Sequence, residues 1–359
     1  MENCQLYSNQ PEIDLLLICL GNIENNDIQK KINLLFKQLI DWEYLIEISI
    51  KHKVFLLMYS NLNATFSYLI PHAIHEFARS YTKAKAHNNL IITHECLQII
   101  NLFHQNQIKC LPLKGPIIAK SFYGNLGLRV FSDLDLLVKK SDFEKAQQLL
   151  TENTYQPNKS NNHRYYQQVQ YYRSDISVCI DLHYEFAPKN HFTAVDSKTF
   201  WNDLATVTIA NQPIEVFSLE NTLIYLCLEG AKEHWRSLSR LCDVYKLILK
   251  YELNWKTCLT NSHYLNRKKT FLIGLYLVKS IFKISLPDFI NKTIDYELKI
   301  KPARKQICAY LFRRQFNIFS AVQWHLFNLQ AFKSTDAIGY INYVIKTNLK
   351  LHALTGIIS

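Results

Sequence analysis

The strongest chemical signal in the chain is a pair of aspartates two residues apart. Asp133 and Asp135 lie in Ser132-Asp-Leu-Asp-Leu-Leu-Val138, a stretch that predicts a strand. On a strand, residues i and i+2 project from one face, so the two carboxylates share a side while Leu134 and Leu136 point to the core. Converging carboxylates repel each other and rarely persist without a cation between them. Mg²⁺, or Mn²⁺ in its place, takes hard oxygen ligands and is usually held by one or two carboxylates plus substrate phosphates. A third acid is at hand: Ile176–Phe186 also predicts a strand, with Cys179, Asp181, His183 and Glu185 along one face. Three carboxylates can hold two ions about 3.5–4 Å apart, which activate the attacking oxygen and stabilise the leaving one in phosphoryl transfer.

Plainer roles stay open for each of these residues. Asp133 also reads as a cap or a partner of Arg129, and Asp181 as a strand-end ion pair with Lys114 or Arg129. His183 reads as an orienting group more readily than as a ligand. His163 sits on a polar connection, Asn161-Asn-His-Arg164, and reads as a solvated loop residue. His234 and Asp243, nine residues apart, read as a pair bonding across a helical hairpin, with Arg240 a further basic group near the cleft. Other chemistries lack their motifs. There is no P-loop, no GxGxxG and no GxSxG. His94-Glu95 opens like a zinc HExxH motif, but Gln98 stands where the second histidine is required.

The elements that must position the acids follow from periodicity. Residues 11–107 read as helices, including a segment opened by Asp41-Trp42-Glu43 and a long one from Pro71 to about Gln107. The pattern then changes. Ile108–Leu113 is a short apolar run leading to Lys114-Gly115-Pro116, and the glycines at 115, 124 and 127 fall just before the acid pair. Ser141-Asp-Phe-Glu144 has the form of a capping box starting a helix. Tyr165–Tyr172 and Ile176–Phe186 alternate like paired strands around a turn at Ser174-Asp175. From Ser218 onward the chain reads helical again. The expected fold class is α+β: a helical region at 1–107, a small mixed-sheet core at 108–215, and a helical domain at 216–359.

Composition narrows the setting. The chain has 359 residues, 48% of them hydrophobic, with Lys+Arg 41 against Asp+Glu 30. That balance suits a globular protein with its own core and argues against disorder. Residues 301–359 hold Lys301, Arg304, Lys305, Arg313, Arg314, Lys333, Lys346 and Lys350 against one acid, Asp336. This basic run is a candidate surface for RNA or another polyanion, or a solvated helical face. The nine cysteines form no CxxC and read as buried thiols. With no membrane span and no signal sequence expected, a cytoplasmic protein is the reading.

Three segments carry a resemblance. Leu113-Lys-Gly-Pro, Phe122-Tyr-Gly-Asn-Leu-Gly-Leu-Arg129 and Ser132-Asp-Leu-Asp-Leu-Leu-Val138 resemble the uncharacterised nucleotidyltransferase family of the DNA polymerase β-like superfamily. Ile180-Asp-Leu-His-Tyr184 is similar to its third-carboxylate strand, and Glu233-His-Trp-Arg…Leu241-Cys-Asp243 to a C-terminal helical pair. The likeness spans roughly residues 35–250. It implies a Mg²⁺- or Mn²⁺-dependent transfer of a nucleoside monophosphate from an NTP, ATP being the first to expect, to a hydroxyl on a protein, RNA or small molecule. Asp133, Asp135 and Asp181 are then metal ligands, and Asp181 is the base for the acceptor. Lys114 stands where the wider superfamily has glycine, so phosphate binding differs in detail. It falls to Lys114 as a point charge, Arg129 as a bidentate partner, the Gly115 amide at a helix start, and Ser132. The alternatives are a nucleotide- or RNA-binding scaffold without turnover, and a helical interaction partner whose α/β core is a relic.

Overall fold

Caps and apolar faces set out the N-terminal helices. The computed structural model describes residues 10–21, 26–158, 167–186 and 195–312, together with Phe327 and Leu329. Helix α1 (Pro11–Leu20) begins with proline in its first turn, followed by α2 (Asn26–Leu35). Helix α3 (Trp42–Lys51) is capped by Asp41, whose side chain accepts the Tyr44 N–H. After α4 (Phe55–Phe66) comes α5 (His72–Gln105), the long helix expected, with Pro71 as its N-cap.

The α/β module follows: β1 (Cys110–Pro112), α6 (Pro116–Tyr123), β2 (Asp133–Val138), α7 (Phe143–Glu152), β3 (Gln156–Pro157), β4 (Gln168–Arg173) and β5 (Val178–His183). They form a mixed five-stranded sheet in the order β1-β2-β5-β4-β3. Only β2 and β5 run parallel within it, and their register sets Asp135 beside Asp181 and Leu137 beside His183. One sheet face is apolar. Leu134, Leu136, Val138, Val169, Tyr171, Ile180 and Leu182 pack with Ile92, Cys96, Ile99 and Phe103 of α5 and Ala146 and Leu150 of α7. The acids line the other face.

Two local expectations needed revision. No capping box forms at Ser141: the chain makes a 3₁₀ turn over Lys140–Asp142, and the Ser141 hydroxyl reaches the Asp142 carboxylate at 3.2 Å instead of a backbone N–H. The interval before Ser218 holds an unanticipated hairpin, β6 (Leu204–Ile209) and β7 (Gln212–Phe217). Its turn residues, Ala210 and Asn211, take φ of 48° and 64°, the left-handed pair that a two-residue hairpin loop of matching twist requires.

From Ser218 to Phe312 the described chain is helical: α8 (Leu219–Lys232), α9 (Leu238–Lys250), α10 (Trp255–Tyr264), α11 (Lys268–Phe282), α12 (Asp288–Glu297) and α13 (Arg304–Leu311). Ser218 caps α8 through the Asn221 N–H. The link between α8 and α9 is anchored by the fully buried Trp235, whose ring lies so close to Gly230 that any Cβ there would sit 2.4 Å from it. Among the described residues no helix is long and apolar enough to cross a membrane. His163 and the basic residues Arg313, Arg314, Lys333, Lys346 and Lys350 lie outside the described residues.

Candidate functional site

The parallel register of β2 and β5 does what the spacing of the acids requires. Asp135 and Asp181 are direct neighbours across the two strands, and His183 follows on the same face of β5. The ligand atoms of Asp135, Asp181 and His183 all lie within 4.8 Å of one another. His183 Nε2 is 3.3 Å from Asp135 Oδ1, and the buried Nδ1 has no hydrogen-bond partner among the described residues. From β4, Gln170 donates to Asp181 Oδ1 at 3.1 Å. Asp133 faces the same side of β2, half-buried on the wall of the adjoining cavity, and is not a member of that three-residue group.

Lys114 enters from the loop between β1 and α6. That loop is pinned to β2 by the Leu113 N–H donating to the Asp135 carbonyl at 2.9 Å. It turns at Gly115, whose φ of 59° and ψ of −120° belong to glycine, and Pro116 opens α6 at once. The Lys114 ammonium sits 3.2 Å from Asp135 Oδ2 and 2.6 Å from Glu229 Oε2 on α8. Glu229 is held on its other oxygen by Lys232 at 2.6 Å. Glu229 is the main residue the sequence reading missed. Its signal was there: a single acid inside Ile224-Tyr-Leu-Cys-Leu-Glu-Gly-Ala231 has to find a cation when that helix is buried.

Arg129 is paired with a carboxylate from the C-terminal helices. Its Nε and one terminal nitrogen donate to the two oxygens of Asp243 on α9, each at 2.8 Å, and Tyr123 donates to the same carboxylate at 2.8 Å. Asn89 of α5 holds the Arg129 carbonyl at 2.9 Å. The hairpin pairing expected for Asp243 is therefore replaced by a clamp onto the segment before β2.

Lys114, Gly115, Arg129, Asp133 and Asp135 border a cavity of about 180 Å³. Lys114, Gly115, Arg129, Ser132, Asp133 and Asp135 form one wall, and Lys53, Glu233, Ser237, Ser239 and Arg240 the other. Arg240 pairs with Glu233. Exposed Lys53, at φ 58°, is carried by a turn bolted to the start of α9: Ser237 Oγ donates to the His52 carbonyl at 2.9 Å and the Ser239 N–H at 3.2 Å. A larger cavity, about 850 Å³, between the end of α5 and the β6–β7 hairpin contains none of these residues.

The two central carboxylates are driven apart electrostatically. Burial works against ionisation of Asp135, but the ammonium of Lys114 and then His183 outweigh it and hold the carboxyl well below its usual range. Burial pushes Asp181 up, opposed by His183 and reinforced by the charges of Asp135 and Asp133. Burial beside the same acids pushes the Cys179 thiol up to about 12, so it is no nucleophile at neutral pH. Glu229 is buried too, yet Lys114, Lys232 and Arg240 bring it down to about 2. A low and a raised carboxyl side by side is the arrangement in which one stays a ligand and the other exchanges protons.

A family model described as an uncharacterised nucleotidyltransferase matches residues 38–283. The chain belongs to this nucleotidyltransferase family. No protein of curated function matches it. Among solved structures, an antigenic nucleotidyltransferase-like protein from Paracoccidioides brasiliensis is similar to 48% of this chain and 86% of its own, at 14% identity and a TM-score of 0.30. The span matched to the nucleotidyltransferase family takes in every residue of the cavity wall, from Lys53 through Lys114, Asp133 and Asp135 to Arg240, and Asp181, His183 and Glu229 beside it.

Proposed function

We propose that the protein transfers a nucleoside monophosphate from an NTP, ATP first among them, to a hydroxyl-bearing acceptor, the acceptor oxygen bonding to the α-phosphorus as pyrophosphate leaves, with Mg²⁺ or Mn²⁺ as cofactor. The observation that carries this reading is the juxtaposition of Asp135 and Asp181 across parallel strands, with His183 next on the same face and a cavity of about 180 Å³ opening beside Asp135. The donor set fits a divalent ion: two carboxylates and an imidazole converge, and one acid is kept ionised by its surroundings. An ion held there by Asp135, Asp181 and His183 would supply Lewis-acid charge to phosphoryl oxygens.

The rest falls to the chain itself. Asp135 and Asp181 hold the cofactor, with Asp133 adding negative charge from the same face. Asp181, facing the cavity side of β5, is the residue to take the proton from the attacking hydroxyl. Along the cavity the Gly115 amide at the start of α6, Ser132 and the exposed Lys53 are available to the phosphates, while Lys114 supplies positive charge from behind Asp135. Arg129 keeps the wall in position through Asp243 and reaches phosphate only as part of that pair. A cytoplasmic setting, rich in nucleoside triphosphates, suits this use.

The test is label transfer. With α-labelled NTPs, Mg²⁺ or Mn²⁺ and a panel of acceptors, the protein is expected to label one acceptor. Asp135→Asn is expected to lower the rate by about 10³-fold or more, since metal-centred charge stabilisation is worth several kcal/mol. If neither metal nor NTP binds at millimolar concentration, the proposal is wrong.

A further inference from the structure

Three carboxylates and a basic loop suggest two ions, but the geometry around Asp135 allows a different count. Its two oxygens face different cations. Oδ1 faces the group made with Asp181 and His183. Oδ2 is already occupied by the Lys114 ammonium at 3.2 Å.

That ammonium is built in. Its side chain is 10% exposed, and its second contact, 2.6 Å to Glu229, comes from a helix that contributes nothing else to the acid cluster. Glu229 is 3% exposed and steadied by Lys232. A dication placed on Oδ2 would have to displace a lysine and leave a buried glutamate with the partly exposed Lys232 as its remaining ion-pair contact and Arg240 farther off, and breaking such a pair by removing one member is costly. A carboxylate that anchors a lysine from the side away from the cavity makes sense if the lysine's charge is needed in one place. Meanwhile Oδ1, Asp181 and His183 offer donors enough for one ion.

We propose that the cleft takes a single divalent ion, on Asp135, Asp181 and His183, and that the Lys114 ammonium, positioned by Glu229, is its permanent second cation. This rests on the nucleotidyl-transfer reading of the same cleft. It assigns to Lys114 the charge that a second ion would bring, and it makes Glu229 a positioning residue that touches neither ion nor nucleotide. Asp133, outside the three-donor group, then adds charge to one ion and bridges none.

Electron paramagnetic resonance of Mn²⁺ decides the matter without any measurement of turnover. The full-length protein is titrated with Mn²⁺, alone and with a non-hydrolysable ATP analogue. One bound Mn²⁺ per chain with a mononuclear spectrum is expected in both cases. Lys114→Met is expected to raise the count to two, with the broadening of a coupled pair about 3.5–4 Å apart, and Lys114→Arg to keep it at one. Glu229→Gln, which frees the lysine while keeping its charge, is expected to weaken exclusion of the second ion. Two coupled ions in the parent protein would overturn the inference and leave the transferase reading standing. A count of one in a folded Lys114→Met would also overturn it, since the lysine would then exclude nothing. Should that variant fail to fold, the parent count still decides. No bound Mn²⁺ and no bound analogue would sink both readings together.

Discussion

Lys114 and Arg129 flank the same cavity, come from the same stretch of chain, and both pair with a carboxylate on the C-terminal helices. Their surroundings make them unlike. Arg129 is clamped: two of its nitrogens match both oxygens of Asp243, Tyr123 donates to the same carboxylate, and the Arg129 and Asp243 side chains are buried with Tyr123 half-buried beside them. Nothing in that cluster touches Asp135 or Asp181. Lys114 is shared: one contact holds it to α8, and the other faces an acid of the candidate metal site. A planar guanidinium suits a closed two-point clamp, whereas a compact ammonium suits a charge that must serve two sides. Two basic residues of one motif thus separate into a closed clamp and a charge shared between α8 and the acid face, and the separation depends on what faces each from the helices.

The clamp is the easier half to break. Arg129→Met leaves Asp243 buried beside Tyr123 with no countercharge, and losing one member of a buried pair costs about 3–5 kcal/mol. Urea denaturation is expected to show a loss of that size. Replacing both members, Arg129→Met with Asp243→Leu, is expected to recover most of it, because an apolar pair of similar volume removes the buried charge altogether. Mn²⁺ binding in the double variant is expected to match the parent. If instead the double variant folds stably and loses Mn²⁺, Arg129 belongs to the chemistry and the comparison collapses.

The contrast also marks how far the sequence could be read. The helical flanks and the acid-bearing strands were legible because local signals govern them: Asp41 and Ser218 as caps, Pro71 at a helix start, alternation in β2 and β5. Asp135 and Asp181 were legible as partners because one face of each strand carried the acids. The β6–β7 hairpin escaped because its turn is Ala210-Asn211 without the glycine that usually announces such loops. The roles of Lys114 and Arg129 escaped for a stronger reason. Glu229 lies 115 residues from Lys114 and Asp243 lies 114 from Arg129, so no local pattern relates them. A lone acid in an apolar helix shows that a cation must come, and does not show which one. His183 was weighed as an orienting group, and its place among the three converging donors follows from strand register, which spacing along one chain segment does not fix.

The shared charge has a pH signature. Glu229 is lowered from an ordinary value of 4.5 to about 2, against its own burial, chiefly by Lys114 and then by Lys232 and Arg240. A carboxyl with a depressed native value adds stability that is complete above the unfolded value and disappears as pH falls through the native one. The contribution of Glu229 is therefore present above about pH 4.5 and lost on the way down to about 2. Asp135 shifts in the same direction, so the parent protein is expected to weaken steeply below pH 4.5. Glu229→Gln is expected to be less stable near neutrality and to lose less between pH 5 and 3, by an amount of a few kcal/mol at most. Parallel urea curves at those pH values would mean that Glu229 does not hold Lys114 in solution.

Lys232 tests whether Glu229 answers mainly to the lysine of the cleft. It contacts Glu229 from the next turn of α8 at 2.6 Å, with 27% of its side chain exposed against 10% for Lys114. Partly solvated pairs of this kind are worth about 0.2–1 kcal/mol, because water screens the charge and the long side chain loses freedom. Glu229 keeps Lys114 when Lys232 is gone, so no buried charge is left alone. Lys232→Met is accordingly expected to cost no more than about 1 kcal/mol in a urea titration and to leave the Mn²⁺ count unchanged. A gain of a second Mn²⁺ in this variant would place the restraint on Lys114 in the whole Lys114–Glu229–Lys232 chain. An unchanged count assigns it to the single contact between β1–α6 loop and α8, the one that separates Lys114 from Arg129.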